Sequence, residues 1–145
     1  MVNVQLIAYK ISRLEMYNVL QSSQEVELKN SSEFDVTFDI ENEMATAMLT
    51  EHVKMTGFPC DFSIDLTLKG TFHITEVRSD ASKKEAHVKC YNGLFPYAGQ
   101  IISQLAMNSG MNGLILKKKS MESESVNFGS RPEKEKSDKI IEFRA

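Results

Sequence analysis

Three histidines, two cysteines and two aspartates spaced four apart are the side chains of this sequence best suited to chemistry. His52, His73 and His87 stand apart, none with a second His or Cys at a ligand spacing on its own segment, so a metal site of converging N and S ligands is not indicated. Cys60 and Cys90 form no CxxC pair. With no secretory leader at the N-terminus, they predict a reduced, cytoplasmic chain in which both thiols are small buried hydrophobes. Asp35 and Asp39 share one parity of a predicted strand. Without an apolar pocket to drive their pKa values apart, such a pair is a wet sheet face and not an acid–base couple. The sequence contains no glycine loop for phosphate and no nucleophile elbow. The reading is of a protein that is not an enzyme and holds no metal or cofactor.

The elements that position these side chains come from apolar periodicity. Val4–Tyr17 alternates with a phase slip: Val4, Leu6 and Ala8 keep one parity, Tyr9 and Ile11 take the other, and Leu14 and Met16 return. A bulged strand explains that. Asn18–Ser32 is mostly polar and reads as a long surface connection. Phe34, Val36, Phe38 and Ile40 alternate with Asp35, Thr37, Asp39 and Glu41, a half-buried strand. Ala45–Met55 forms another, interrupted by Glu51, and a turn at Thr56–Pro59 leads into Phe62, Ile64, Leu66 and Leu68. Gly70 then allows a kink or bulge before Phe72 and Ile74. Ser82 and Glu85 have capping-box spacing and predict a short helix stopped at Asn92 and Gly93. A longer helix is predicted from Pro96 to Asn108, with Leu94, Ala98, Ile101, Ile102 and Leu105 on one face and Gly110 free to end it.

At 145 residues the chain suits one domain. Its net charge is −3, with basic residues dispersed apart from Lys117, Lys118 and Lys119, so nucleic acid is not an expected partner. No apolar run approaches the ~20 residues of a membrane span. From Lys117 to Lys139 the composition predicts a solvated tail, and the closing Ile140, Ile141 and Phe143 fit an edge strand or a helix. The domain is therefore expected over 1–116 and a charged, mobile tail over 117–145. Eight Phe, eight Met and four Tyr are many for so small a sheet, and Phe95, Tyr97, Met107 and Met111 flank the helix stripe instead of lying on it. Such residues suit an adaptable contact surface, and equally a completed core or an interface between copies.

The LFPYA of Leu94–Ala98, the helix after it and the strand blocks before it resemble the protein-export chaperone family SecB, over roughly Val4–Leu116. The resemblance implies an α+β fold: a four-stranded antiparallel sheet with a short and a long helix packed on one face, assembled as a dimer of dimers, a homotetramer. It implies an ATP-independent holdase that binds unfolded preproteins in apolar grooves for translocation and hands them to the SecA motor. By position, Phe72, Ile74, Tyr91, Leu94, Phe95 and Tyr97 fall in or near the groove, with Met107 and Met111 beside them. Where the family's sheet meets SecA with acids, this chain carries Arg13, Tyr17 and Asp65, leaving Asp65 as the one matching contact and weakening the implied SecA partnership. Gly99 and Gln100 also replace the family's Arg-Glu pair. These departures fit a SecB-like chaperone dedicated to an antitoxin or other specific client as well as an export factor. A small ligand-binding α+β domain, or a module for a single folded partner, are the readings outside that family.

Overall fold

The computed structural model describes residues 1–20, 25–111, 113–118, 121 and 139–144. Alternation makes strands wherever a second layer can bury one face. Here β1 (Asn3–Asn18), β2 (Glu25–Asp39), β3 (Met44–Met55) and β4 (Phe62–Thr75) form an antiparallel sheet in the order β1-β4-β3-β2. A short fifth strand, β5 (Lys139–Arg144), adds to the free side of β2. Of the two conformations left open for the C-terminal residues, the strand is the one adopted. The solvated tail expected before it lies largely outside the described residues.

The segment read as a surface connection is corrected: from Glu25 it is the first half of β2. Its polar residues misled because two of them sit on the core face. Val26, Leu28, Asn30 and Ser32 alternate with exposed-face residues, and all four are buried. The donors find an acceptor across the strand pair. Ser32 Oγ donates to Glu51 Oε2 at 2.6 Å and Asn30 Nδ2 donates to the same oxygen at 3.0 Å. Buried polar groups need such partners. Glu51, the interruption in β3, and Asn30 and Ser32, the interruptions in β2, thus answer each other.

The expected pair of helices is one. α1 (Asp80–Asn108) runs unbroken for 29 residues with Pro96 inside it. Asn92 and Gly93 do not stop it, because Gly93 serves a contact: a Cβ there would stand 3.2 Å from Phe72 Cε2. Pro96 forfeits one backbone hydrogen bond, which the buried face of Tyr91, Leu94, Phe95, Ala98, Ile102 and Ala106 offsets. The helix also begins earlier than expected. Its capping box is Ser79 with Ser82, the Ser82 amide donating to Ser79 Oγ at 3.2 Å and the Ser79 amide to Ser82 Oγ at 2.8 Å. Ser79→Ala is expected to cost about 1 kcal/mol in urea unfolding; a midpoint unchanged from the parent would remove the cap from the account. At the other end Gly110 turns left-handed at φ +90, and the Met111 amide reaches Ala106 O at 2.8 Å, closing the helix as predicted.

Gly70 makes no bulge in β4. The register shifts lie in β1, between Leu6 and Ala8 and between Ile11 and Arg13, while Gly70 opens space for the helix: a Cβ there would meet Leu94 Cδ1 at 3.0 Å and Phe72 Cε1 at 3.1 Å. Phe72 is thereby held between two glycines, one on the sheet and one on the helix. Of the two cysteines, Cys90 is buried as expected and burial pushes its thiol up to about 12. Cys60 is exposed, because it sits in the turn between β3 and β4 and not in a strand.

Candidate functional site

The edge strand β1 owes its surface to its two bulges. Pairing sets Leu6 opposite Phe72, Tyr9 opposite Gly70, Ile11 opposite Leu68 and Leu14 opposite Leu66. Each bulge skips one residue, so while Ala8 turns to the polar face opposite Thr71, Tyr9, Ile11 and Leu14 return to the core face of Val4 and Leu6. They are not covered there. Tyr9, Ile11 and Leu14 remain 41%, 47% and 40% exposed, because α1 packs on β1, β4, β3 and β2 and, though aligned with β1 in direction, leaves this edge uncovered.

Two hydrogen bonds fix that alignment. Lys89 Nζ donates to Val2 O at 2.7 Å near the start of β1, and Asn18 Nδ2 donates to Ser109 O at 3.2 Å at its end, so helix and strand run in the same direction. Between these pins the Tyr97 ring rests on Tyr9, centroids 4.5 Å apart. Ile101 and Leu105, one and two turns further on, are partly buried. Tyr9, Ile11 and Leu14 with Tyr97, Ile101 and Leu105 therefore form an apolar strip along the junction of strand and helix, with Met107 55% exposed beyond them. Contiguous exposed apolar surface is the kind that proteins use for contacts with partners.

The residues singled out in the sequence divide between that surface and the core. Tyr97 and Met107 reach it. Phe72, Ile74, Tyr91, Leu94, Phe95 and Met111 are buried within the single chain. Tyr91 meets Phe34 edge-on at 5.2 Å and Phe95 at 5.7 Å, on the side of the helix that faces β2. Tyr9, Ile11 and Leu14 were missed, although the phase slip in Val4–Tyr17 was the signal that could have found them. Asp65 lies on the opposite, polar face of the sheet, where His52 Nδ1 and Asp65 Oδ1 are 2.5 Å apart and Thr50 and Thr67 hydroxyls meet at 2.9 Å. Arg13 is engaged by Glu15 at 2.8 Å on the same face.

Among the described residues no cluster of His, Cys, Asp and Glu is arranged to hold a metal ion, and no helix is long and apolar enough to cross a membrane. A cleft at one end of the sheet, lined by Ile40, Glu43, Ile74, Glu76, Val77 and Arg78, encloses about 130 Å³. Pockets for small molecules usually start near 300 Å³.

The family profile for SecB, the preprotein translocase subunit, matches residues 15–126. This chain belongs to the SecB family. No curated relative matches the sequence significantly. Among solved structures, the fold is similar to that of the Mycobacterium tuberculosis SecB-like chaperone Rv1957, in complex with a ChAD peptide from the Rv1956 HigA1 antitoxin. The superposition has a TM-score of 0.60 at 13% identity and covers 79% of this chain and 89% of that one. The SecB match begins within β1, takes in the remaining sheet strands β2–β4 and all of α1, and ends before β5.

Proposed function

We propose that this chain is a chaperone that holds non-native polypeptide on the apolar strip between β1 and α1, without nucleotide. The observation that carries the reading is the strip itself: a SecB-family chain keeps Tyr9, Ile11 and Leu14 on the core face of an edge strand and leaves them uncovered. An unfolded segment that buries a few apolar side chains there gains roughly 1.5–3 kcal/mol for each. The sum over weak contacts along a strip gives affinity without demanding one sequence. The buried candidates Phe72, Ile74, Tyr91, Leu94, Phe95 and Met111 then act as the platform under that surface, and Tyr97 and Met107 as part of it. We further infer a homo-oligomer, a dimer of dimers in which a second copy covers part of the strip, working in the cytoplasm.

Two client classes are supported by different observations. Delivery of unfolded preproteins for export is supported by the family's description as a preprotein translocase subunit. Service to one antitoxin-like client is favoured by the positions at which the family's sheet meets SecA, where Arg13 is paired with Glu15 and Asp65 is engaged by His52.

The test is aggregation of a chemically unfolded model protein in the presence of the purified chain without nucleotide, with light scattering recording oligomer size. Suppression near one oligomer per client is expected. Ile11→Ser with Tyr97→Ser should weaken client binding about tenfold while the circular dichroism spectrum is kept, since loss of a central aromatic anchor costs this much at interfaces. Full suppression by a folded double variant would move the binding surface elsewhere. No suppression by the parent would end the chaperone reading.

A further inference from the structure

β5 stands outside the SecB match, which ends at residue 126. Among the described elements it touches β2 alone. Its six residues pair antiparallel with Glu25–Asn30, from Glu25 opposite Arg144 to Asn30 opposite Lys139, while the same edge of β2 from Ser31 to Asp39 has no strand beside it among the described residues. The edge of a sheet presents a row of N–H and C=O groups ready to receive another strand.

The register makes β5 a weak tenant. Ile141 and Phe143 stand opposite Leu28 and Val26, two buried apolar positions, which favours docking. Between them Glu142 stands opposite Glu27, and like charges directly across a strand pair are unfavourable. Apolar residues two apart in an extended hexapeptide are what non-native polypeptide offers in abundance.

We propose that the β2 edge is a strand-addition site for extended, non-native polypeptide with apolar residues at alternate positions, and that β5 is its resident occupant, displaced when such a segment binds. Main-chain hydrogen bonds supply affinity independent of sequence, and the positions opposite Val26 and Leu28 select apolar side chains. The inference rests on the chaperone reading for the nature of the ligand, yet the site is separate from the β1–α1 strip, at the far edge of the sheet. Because β5 is tethered, it competes at an effective concentration in the mM range, which sets the threshold a client must exceed.

The probe is a fluorescein-labelled peptide spanning residues 137–145, followed by anisotropy. Full-length chain and the full-length double variant Ile141→Asp with Phe143→Asp, which weakens docking of the resident strand, are compared. The variant is expected to bind the peptide at least tenfold more tightly than the parent, an unfolded model protein is expected to compete it off, and a peptide with Ile141→Pro, lacking a ladder donor, should fail to bind. Equal binding by parent and variant overturns the proposal. So does peptide binding that the unfolded protein leaves untouched; if the same preparation still suppresses aggregation, the holdase reading survives and β5 is a fixed part of the sheet. Absence of aggregation suppression by the parent overturns the client assignment together with the holdase reading, and is scored without the peptide.

Discussion

Leu94→Ala lowers the free energy of unfolding by about 2–5 kcal/mol, the range for removing a fully buried leucine whose cavity collapses only in part. Leu94 is 0% exposed and its Cδ1 lies where a Cβ on Gly70 would come within 3.0 Å. Gly70→Ala alone is therefore expected to destabilise by about 1 kcal/mol, the cost of forcing a methyl into a filled site. In the Leu94→Ala background the leucine contacts are gone and Phe72 Cε1, at 3.1 Å, still stands against the methyl. The cost should then shrink toward zero, because the methyl fills part of the cavity and Ala restricts the unfolded chain by about 0.4–1 kcal/mol relative to Gly. Urea unfolding of the four chains at one protein concentration measures the coupling. Additivity within about 0.5 kcal/mol would mean that the two residues do not share a contact.

The second large effect concerns Glu51, which is 0% exposed. One carboxyl oxygen accepts from Ser32 and Asn30, and the other has no hydrogen-bond partner among the described residues. Burial drives its pKa up, opposed by those two hydrogen bonds and by His52. A raised value in the folded state means that the native chain binds more protons than the unfolded one between the ordinary carboxylate range, near 4.3, and the raised value. The stabilisation is whole below that range and is lost as pH rises through the raised value. Glu51→Gln cannot ionise. Its stability relative to the parent should therefore grow as pH rises from the ordinary carboxylate range through the raised value, reaching roughly 1–3 kcal/mol, the usual cost of a buried group left without a partner. Urea midpoints across that interval decide it. A parallel pair of pH curves would show that Glu51 reaches solvent.

Most of the sheet was legible because its core face is apolar at strict alternation: β3 and β4 with their turn, and the second half of β2, follow directly from Phe34–Met55 and Phe62–Ile74. The failures share a physical cause. Wherever a tertiary partner compensated a local irregularity, the irregularity alone was visible in the sequence. Asn30 and Ser32 looked like loop until Glu51 supplied their acceptor. Gly93 looked like a helix stop until Phe72 lay against it. For the candidate site, residues transferred by family position found the helix but mainly its buried side. Tyr9, Ile11 and Leu14 depended on which residues the bulges skip, and pairing with β4 decides that.

That pairing also bears on how the molecule comes together. β2 with β3 and β3 with β4 are neighbours in sequence, so each can close as a hairpin over a short loop. β1 is synthesised before any of them, yet it pairs with β4, Asn3 opposite Thr75 and Asn18 opposite Phe62. The entropy of loop closure is highest for such a contact, and non-local pairing of this kind slows folding. Until β4 exists, the strand bearing Tyr9, Ile11 and Leu14 is an extended apolar segment with no partner. During its own synthesis the chain passes through the same kind of conformation that it is proposed to hold in other proteins.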